Sequence, residues 1–335
     1  MNGFKSIKLL IFYFLRLFYF MIILSRNFFY DIKLIKVRKF NKPVIGVGNI
    51  TTGGTGKTPM VIEIAKMLIE LNKKPIIISR GYKRKSKGTV IVSDNENILA
   101  SVENAGDEPF LMAEKLKNIP IIVDKNRYRA AQIASNKFDF DIVILDDSFQ
   151  HRKIFKDLNL VMINYQEKDK NYNLLPAGRL REPRGSLKRS DLIVWSKYKK
   201  NHKISNFNKK IINSSKEQLF TTIDLKNQFN KKYNILVFCA IGDPESFIDL
   251  LIFKELNIVH KIIFKDHEKL STKKLNELID LKSKYKADYI VTTEKDWVKL
   301  PQSFQKNKIF KFFKLKLKFK NNDKELLLKR IKQLI

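Results

Sequence analysis

The stretch from Val44 to Ile69 constrains this chain most. Val44-Ile45-Gly46-Val47 is an apolar run of the kind that fills a buried strand. It leads into Gly48-Asn49-Ile50-Thr51-Thr52-Gly53-Gly54-Thr55-Gly56-Lys57-Thr58-Pro59, and Val61, Ile64, Ala65, Leu68 and Ile69 then recur at helical spacing. Strand, glycine-rich loop, Gly-Lys-Thr, helix is the order in which backbone N–H groups curl around phosphate oxygens, helped by the positive end of the helix. Thr51, Thr52, Gly53, Gly54, Thr55, Gly56, Lys57 and Thr58 are therefore expected to hold a nucleotide. Lys57 would reach the β- and γ-phosphates and Thr58 would ligate Mg²⁺. The pattern has one departure: the first glycine of a P-loop, five residues before Gly56, is Thr51.

The residues that follow predict an α/β fold. Pro75–Ser79, Ile119–Val123, Asp141–Leu145, Leu158–Ile163 and Asp191–Trp195 read as short strands separated by helical stretches. Uniform apolar runs of this kind suit a doubly wound, mainly parallel sheet like that of P-loop NTPases. The third run ends in Asp146-Asp147. A carboxylate at the C-terminal edge of a central strand is aimed at the Mg²⁺ beside a P-loop, so one or both of these acids are expected metal ligands.

At 335 residues the chain is long enough for roughly two domains. Lys197 to Lys216 is rich in Lys, Asn and Ser and reads as a linker. Beyond it, strands Ile235–Ala240, Val259–Phe264 and Asp288–Thr293 alternate with helices at Phe247–Leu251 and Leu275–Leu281. Phe310 to Phe319 alternates apolar residues with lysines, as an exposed edge strand does, and Leu326 to Leu334 reads as a closing helix. The expected organisation is a membrane-associated helix and basic flank over 1–40, a nucleotide-binding domain over 41–215 and a smaller α/β domain over 216–335. The cleft between the last two is the expected active site.

The N-terminus carries its own signal. Leu9 to Leu24 is apolar except for Arg16, and at 1.5 Å per residue it is about 24 Å long, short of the roughly 30 Å hydrocarbon core. No small-residue cleavage site follows it, so it is expected to stay and to lie in one leaflet with Arg16 reaching the headgroups. Nine basic residues (Lys5, Lys8, Arg16, Arg26, Lys33, Lys36, Arg38, Lys39 and Lys42) against Asp31 favour an anionic, cytoplasmic membrane face. The whole chain carries 66 Lys and Arg against 34 acids, a net charge of +32, which calls for an acidic partner such as anionic lipid, nucleic acid or a phosphorylated substrate. A single cysteine, Cys239, excludes a disulfide scaffold.

Taken together the motifs resemble the tetraacyldisaccharide 4′-kinase family of lipid A biosynthesis. The resemblance rests on Gly48–Pro59, Ser79-Arg80-Gly81-Tyr82, Gly106-Asp107-Glu108-Pro109, Asp146–His151, Leu175–Pro183, Asp266-His267 and Val291–Asp296. It implies an ATP- and Mg²⁺-dependent kinase that phosphorylates the 4′-hydroxyl of a tetraacyl glucosamine disaccharide 1-phosphate at the cytoplasmic face of the bacterial inner membrane. Asp107 would accept the hydroxyl proton and His267, in the other half, would orient it. Tyr82, Arg127, Gln150, His151 and Arg181 are the expected substrate-binding residues, the two arginines as phosphate forks. Ser148 stands where the family usually has Gly, and Glu268 follows His267 where an aromatic residue or a second His is common.

Two other readings compete. A switch ATPase of the partition type shares the Gly-Gly-x-Gly-Lys-Thr loop, but its signature lysine precedes the glycine pair and Thr52 stands there. A nucleic-acid-dependent NTPase would suit the charge, but no interleaved aromatic–basic motif is present, so no nucleic acid is expected.

Overall fold

In the computed structural model, residues 2–226 and 229–335 are described, with side chains from Phe12 onward. The side chains of Lys5, Lys8 and residues 9–11 therefore lie outside the described residues.

Eight strands appear in the first two-thirds of the chain: β1 Val44–Asn49, β2 Pro75–Ser79, β3 Val90–Ser93, β4 Ile121–Val123, β5 Ile142–Leu145, β6 Leu158–Asn164, β7 Leu192–Ser196 and β8 Glu217–Leu225. Then come β9 Asn234–Cys239, β10 Asn257–Ile263, β11 Tyr289–Thr293, β12 Phe310–Phe313 and β13 Leu315–Phe319. Among the described residues, nine of them form one sheet in the order β13-β8-β7-β6-β1-β5-β2-β4-β3. Its ladders are parallel except for the edge pairs β3–β4 and β13–β8. The others form a parallel sheet in the order β10-β9-β11-β12. The fold is thus mixed α/β with a large, mostly parallel sheet.

Alternation along the strands explains the layering, because successive side chains of a strand point to opposite faces. Ile45 and Val47 of β1 join a core with the helix Lys57–Glu70 and with Leu327 and Ile331 of the helix Asp323–Lys332. Val44 faces the other way, onto Ala130, Ala131 and Ala134 of the helix Arg127–Lys137. The sheet is therefore covered on both faces, as its uniformly apolar strands require. β1 lies between β5 and β6, so the chain fills one side of β1 first and the other side later. Crevices at such a switch point, at the C-terminal ends of strands, are where ligands bind in open α/β sheets.

Three expectations need correction. First, Phe310–Phe319 is not one edge strand: it breaks at Lys314, β12 closing the small sheet and β13 pairing antiparallel with β8 at the edge of the large one. Consequently residues 217–225, 315–319 and the helix 323–332, expected in the smaller unit, belong to the large sheet and its cover. Second, the 197–216 segment contains a helix, Asn206–Ile212, capped by Ser205 and pinned where Asn208 Nδ2 donates to the carbonyls of Asn164 and Tyr165. Third, the N-terminal helix runs from Asn2 to Asp31, about 45 Å rather than 24 Å.

Candidate active site

The glycine-rich loop leaves the C-terminal end of β1 and is fastened from two sides. Thr52 N donates to Arg179 O at 2.7 Å and Arg181 N to Ile50 O at 2.7 Å, so the Leu175–Pro183 segment clamps the loop's near limb. Inside it, Asn49 Nδ2 donates to Thr55 Oγ1 at 2.9 Å, and both side chains are buried. Gly56 sits at φ 80°, a left-handed conformation that favours glycine, and it caps the helix Lys57–Glu70 without any side-chain hydrogen bond. The first N–H groups of that helix are therefore open to an anion.

The Asp146-Asp147 turn lies at the end of the neighbouring strand β5. Gly48 makes this fit possible: a Cβ there would stand 2.5 Å from Phe149 N. Asp147, at φ 46°, is ringed by cations. Lys57 Nζ is 3.4 Å from its Oδ1, Arg181 Nη1 donates to both carboxylate oxygens at 3.1 Å, and Arg127 Nη2 donates to its carbonyl at 3.3 Å. Burial alone would raise the Asp147 carboxyl, but Lys57 and Arg181 overcome that and hold it well below the usual carboxylate range. Asp146 is the opposite case. Burial first, then the charges of Glu108 and Asp147, push it up. Its Oδ2 accepts from Ser79 Oγ at 2.8 Å, and its Oδ1 is buried with no hydrogen-bond partner. A buried acceptor oxygen without a donor, next in sequence to a second carboxylate, offers the hard oxygen ligands that suit Mg²⁺. Among the described residues no three His, Cys, Asp or Glu side chains cluster as a metal site. A Mg²⁺ held partly by phosphates and waters needs no such cluster.

The second unit supplies the facing wall. Asp107 is the first residue of the helix Asp107–Lys115, and His267 Nδ1 lies 2.9 Å from its Oδ2. The pair joins residues 160 apart in sequence. Burial acts to raise the Asp107 carboxyl, but the hydrogen bond from His267 and the nearby ammonium of Lys299 keep it below its ordinary value and ionised. The Tyr82 ring meets the His267 ring edge-on at 5.4 Å between centroids. Between the units lies a cavity of about 660 Å³, lined by Gly53 to Thr58, Glu108, Lys197, Asp243 and Lys295 among others. A cavity of that size suits a nucleotide-sized ligand. Gly242 of the second unit approaches within 3.7 Å of Gly53 Cα, measured from where its Cβ would stand.

The chain matches the family model described as tetraacyldisaccharide-1-P 4′-kinase over residues 8–335. It is 36% identical to the tetraacyldisaccharide 4′-kinase of Halothermothrix orenii, with 88% of this chain and 82% of that protein covered. It is 35% identical to the enzyme of the same name from Aquifex aeolicus, covering 91% and 94%. The chain belongs to the tetraacyldisaccharide 4′-kinase family. A crystal structure of the Aquifex aeolicus family member LpxK in complex with ATP superposes with a TM-score of 0.74 at 30% identity, covering 99% of both chains.

Within this kinase-family fold, the remaining expected site residues divide. Gln150 Nε2 donates to Asn49 O at 2.7 Å, so its amide fastens the base of the loop. His151 lies beyond it with Nε2 buried and unpartnered, and burial together with Arg127 lowers its pKa to about 3, leaving the ring neutral. Arg127 is 4% exposed, with Nε free of partners. Sequence reasoning left several polar links across the cleft unassigned. Lys295 Nζ donates to Glu108 Oε1 at 2.9 Å, Lys115 Nζ to Glu294 Oε2 at 2.6 Å, and Lys197 pairs with Asp243 while also donating to Ser246 Oγ at 3.0 Å. Glu108 and the 294–295 pair lie inside motifs that carry the resemblance, and that was the available signal.

The N-terminal helix is moored by its second half. Tyr19 Oη donates to Arg181 O at 2.9 Å, and Arg26 Nη2 donates at 2.6 Å to Glu182, a fully buried carboxylate that Arg189 also binds. Ile23 and Tyr30 are buried, while Phe14, Leu17, Phe18, Met21 and Phe28 are exposed. The helix is long and apolar enough over Phe12–Asp31 to cross a membrane by length and composition alone.

Proposed function

We propose that this chain is an ATP-dependent kinase that transfers the γ-phosphate of ATP to the 4′-hydroxyl of a tetraacyl glucosamine disaccharide 1-phosphate. The observation that carries this reading is the cavity itself. A glycine-rich loop lines one wall, and the Asp107–His267 pair sits beside Glu108 of the same lining. On this reading the loop is a P-loop of the NTPase type: the open N–H groups of residues 53–58 hold the phosphates, and Lys57 sits between them and Asp147. Phosphoryl transfer depends on such positioning and charge neutralisation.

Thr58 and the free Oδ1 of Asp146 would hold Mg²⁺, with Asp147 completing the set. Such an ion neutralises charge on the transferring phosphate. Asp107 Oδ2 is occupied by His267, which leaves Oδ1 to take the proton from the 4′-hydroxyl as its oxygen bonds to phosphorus. Arg127 and Arg181, both turned toward Asp147, would stabilise phosphate oxygens once the substrates bind. Tyr82 and His151 are placed to line the acceptor side, and Gln150 would act there through the loop it fastens.

The exposed aromatic face of the N-terminal helix supports attachment to an anionic membrane surface, monotopic or peripheral, on the cytoplasmic side. Spanning is disfavoured because Tyr19, Ile23, Arg26 and Tyr30 are engaged by the folded body. The test is transfer of labelled γ-phosphate from ATP to the tetraacyl disaccharide 1-phosphate in detergent micelles. Label appearing in the lipid supports the reading. ATP hydrolysis stimulated by DNA, with no labelled lipid, would replace it.

A further inference from the structure

The second nitrogen of His267 carries an inference that deepens this reading and rests on it. Lys295 Nζ lies 3.4 Å from His267 Nε2, while the same ammonium donates to Glu108 Oε1 at 2.9 Å. A lysine ammonium has three donors and no acceptor. Facing it, Nε2 can only accept, so the ring proton must sit on Nδ1, where it points at Asp107 Oδ2, 2.9 Å away. We propose that Lys295 is a positioning residue that keeps His267 Nε2 free of a proton, so that the ring carries only the Nδ1 proton held by Asp107, and that Glu108 holds Lys295 in place for this task.

The backbone supports the arrangement. Ala240, just past β9, ties both side chains to one reference point. Its N–H donates to Asp296 Oδ2 at 3.0 Å, anchoring the turn that carries Lys295, and its carbonyl accepts the N–H of His267 at 3.0 Å. Thr293 Oγ1 closes the same turn by accepting from Asp296 N at 3.1 Å. Lys295 is mostly buried, and burial favours loss of its proton, but Glu108 outweighs this and keeps it charged. The other charged groups around His267 do not replace it. Asp266 Oδ1, 3.7 Å from Nε2, would favour a proton on Nε2. Lys299 lies on the far side, 3.9 Å from Asp107 Oδ2, and Lys83 Nζ donates to the Asp266 carbonyl at 3.2 Å. Without Lys295, the nearest charge to Nε2 would be the Asp266 carboxylate. That carboxylate would draw a second proton onto Nε2 while Asp107 keeps the one on Nδ1, and a ring carrying both protons would make Asp107 a weaker base.

The experiment uses the full chain with ¹⁵N-labelled histidine, His267 being assigned by the signal missing from His267→Gln. The wild type should show a protonated Nδ1 and a bare Nε2. In Lys295→Met Nε2 should gain a proton while Nδ1 keeps its own, kcat should fall about 10- to 100-fold, and KM for ATP should stay within about twofold. Lys295→Arg keeps a charged donor and should restore the bare Nε2 and most of kcat. Because Lys295→Met strands Glu108, the double variant Lys295→Met/Glu108→Gln removes that penalty and should show the same protonation of Nε2. A wild-type ring protonated on Nε2, or a Lys295→Met variant with Nε2 still bare and kcat unchanged, overturns the proposal. Failure of the kinase reading would look different: no lipid phosphorylation by the wild type, with the His267 signals still reporting on Lys295.

Discussion

At the residue scale, two aspartates next to each other in sequence behave oppositely because of their surroundings. Asp147 is neutralised by Lys57 and Arg181, whereas Asp146 has an oxygen without a partner. On the kinase reading Lys57 has two tasks, pairing with Asp147 and meeting the phosphates, and Lys57→Ala should remove both. We expect kcat to fall by at least about 10³-fold with the fold retained, since charge at the transferring phosphate matters most in the transition state. Near-normal turnover of the purified variant would remove the P-loop assignment. Asp107 and His267 are in contact, so their losses should not add. Asp107→Ala should lower kcat about 10²- to 10⁴-fold, and the double variant should be little worse. Additive losses would mean that His267 acts on the acceptor alone. His151 makes a separate prediction about pH. Its folded pKa is depressed to about 3 by burial and by Arg127, so between that value and about 6.5 the unfolded chain binds the extra proton. Stability contributed by the neutral ring is present above about pH 6.5 and is lost as pH falls toward 3. Thermal midpoints measured from pH 7 down to pH 4 should fall less steeply in His151→Asn. Parallel curves would contradict the assignment.

At the scale of elements, legibility followed locality. β1, β5 and the loop between β1 and its helix were readable because burial on both faces makes a strand uniformly apolar. The helix Arg127–Lys137 was expected only as an unbounded helical stretch between two strands: its buried stripe is Ala130, Ala131 and Ala134 among polar residues, too weak a periodicity to set its ends. β3 was missed, being a four-residue antiparallel edge. The split of Phe310–Phe319 depends on β8, some ninety residues upstream, so no local pattern encodes it. The N-terminal helix shows the same limit. Its apolar signal stops at Leu24, and the helix continues because Arg26 finds Glu182, and Asp31 finds Arg152 at 2.8 Å. Those contacts also say where to cut. Deleting residues 1–18 removes the exposed Phe14, Leu17 and Phe18 while sparing Tyr19, Ile23 and Arg26. Membrane sedimentation should drop and KM for bilayer-borne lipid should rise, with ATP binding and thermal midpoint nearly unchanged. A truncated chain that still pellets fully with membranes in high salt would show that attachment lies elsewhere.

At the scale of the whole molecule, the small sheet hangs from the large one by β8 and β13, and the Asp107–His267 contact joins the two. The site motifs were legible because each is local, but the polar links that bring the units together were not, since each joins distant residues whose types are common on any surface. Lys197–Asp243 is the link nearest the loop, and Gly54 lies 3.7 Å from Asp243 Cβ, measured from where a Cβ on that glycine would stand. Asp243 also caps the helix Pro244–Phe253, its Oδ1 accepting from Ser246 N at 3.2 Å. Asp243→Asn separates the two tasks, because asparagine caps a helix as well as aspartate but carries no charge for Lys197. A hydrogen bond to a charged group is worth about 1.5 to 3 kcal/mol, which shifts an open–closed equilibrium roughly 10- to 150-fold toward open. We expect kcat to fall and KM for ATP to rise together, as when closure is impaired, with little change in thermal midpoint. Amide exchange at Ile241 and Gly242 should quicken in the same variant, although neither residue is altered. Asp243→Ala, which loses the cap as well, should add a drop in thermal midpoint from about 1 kcal/mol of destabilisation. Unchanged exchange and kinetics in Asp243→Asn would show that the remaining links, Glu108–Lys295 and Lys115–Glu294, hold the cleft without it.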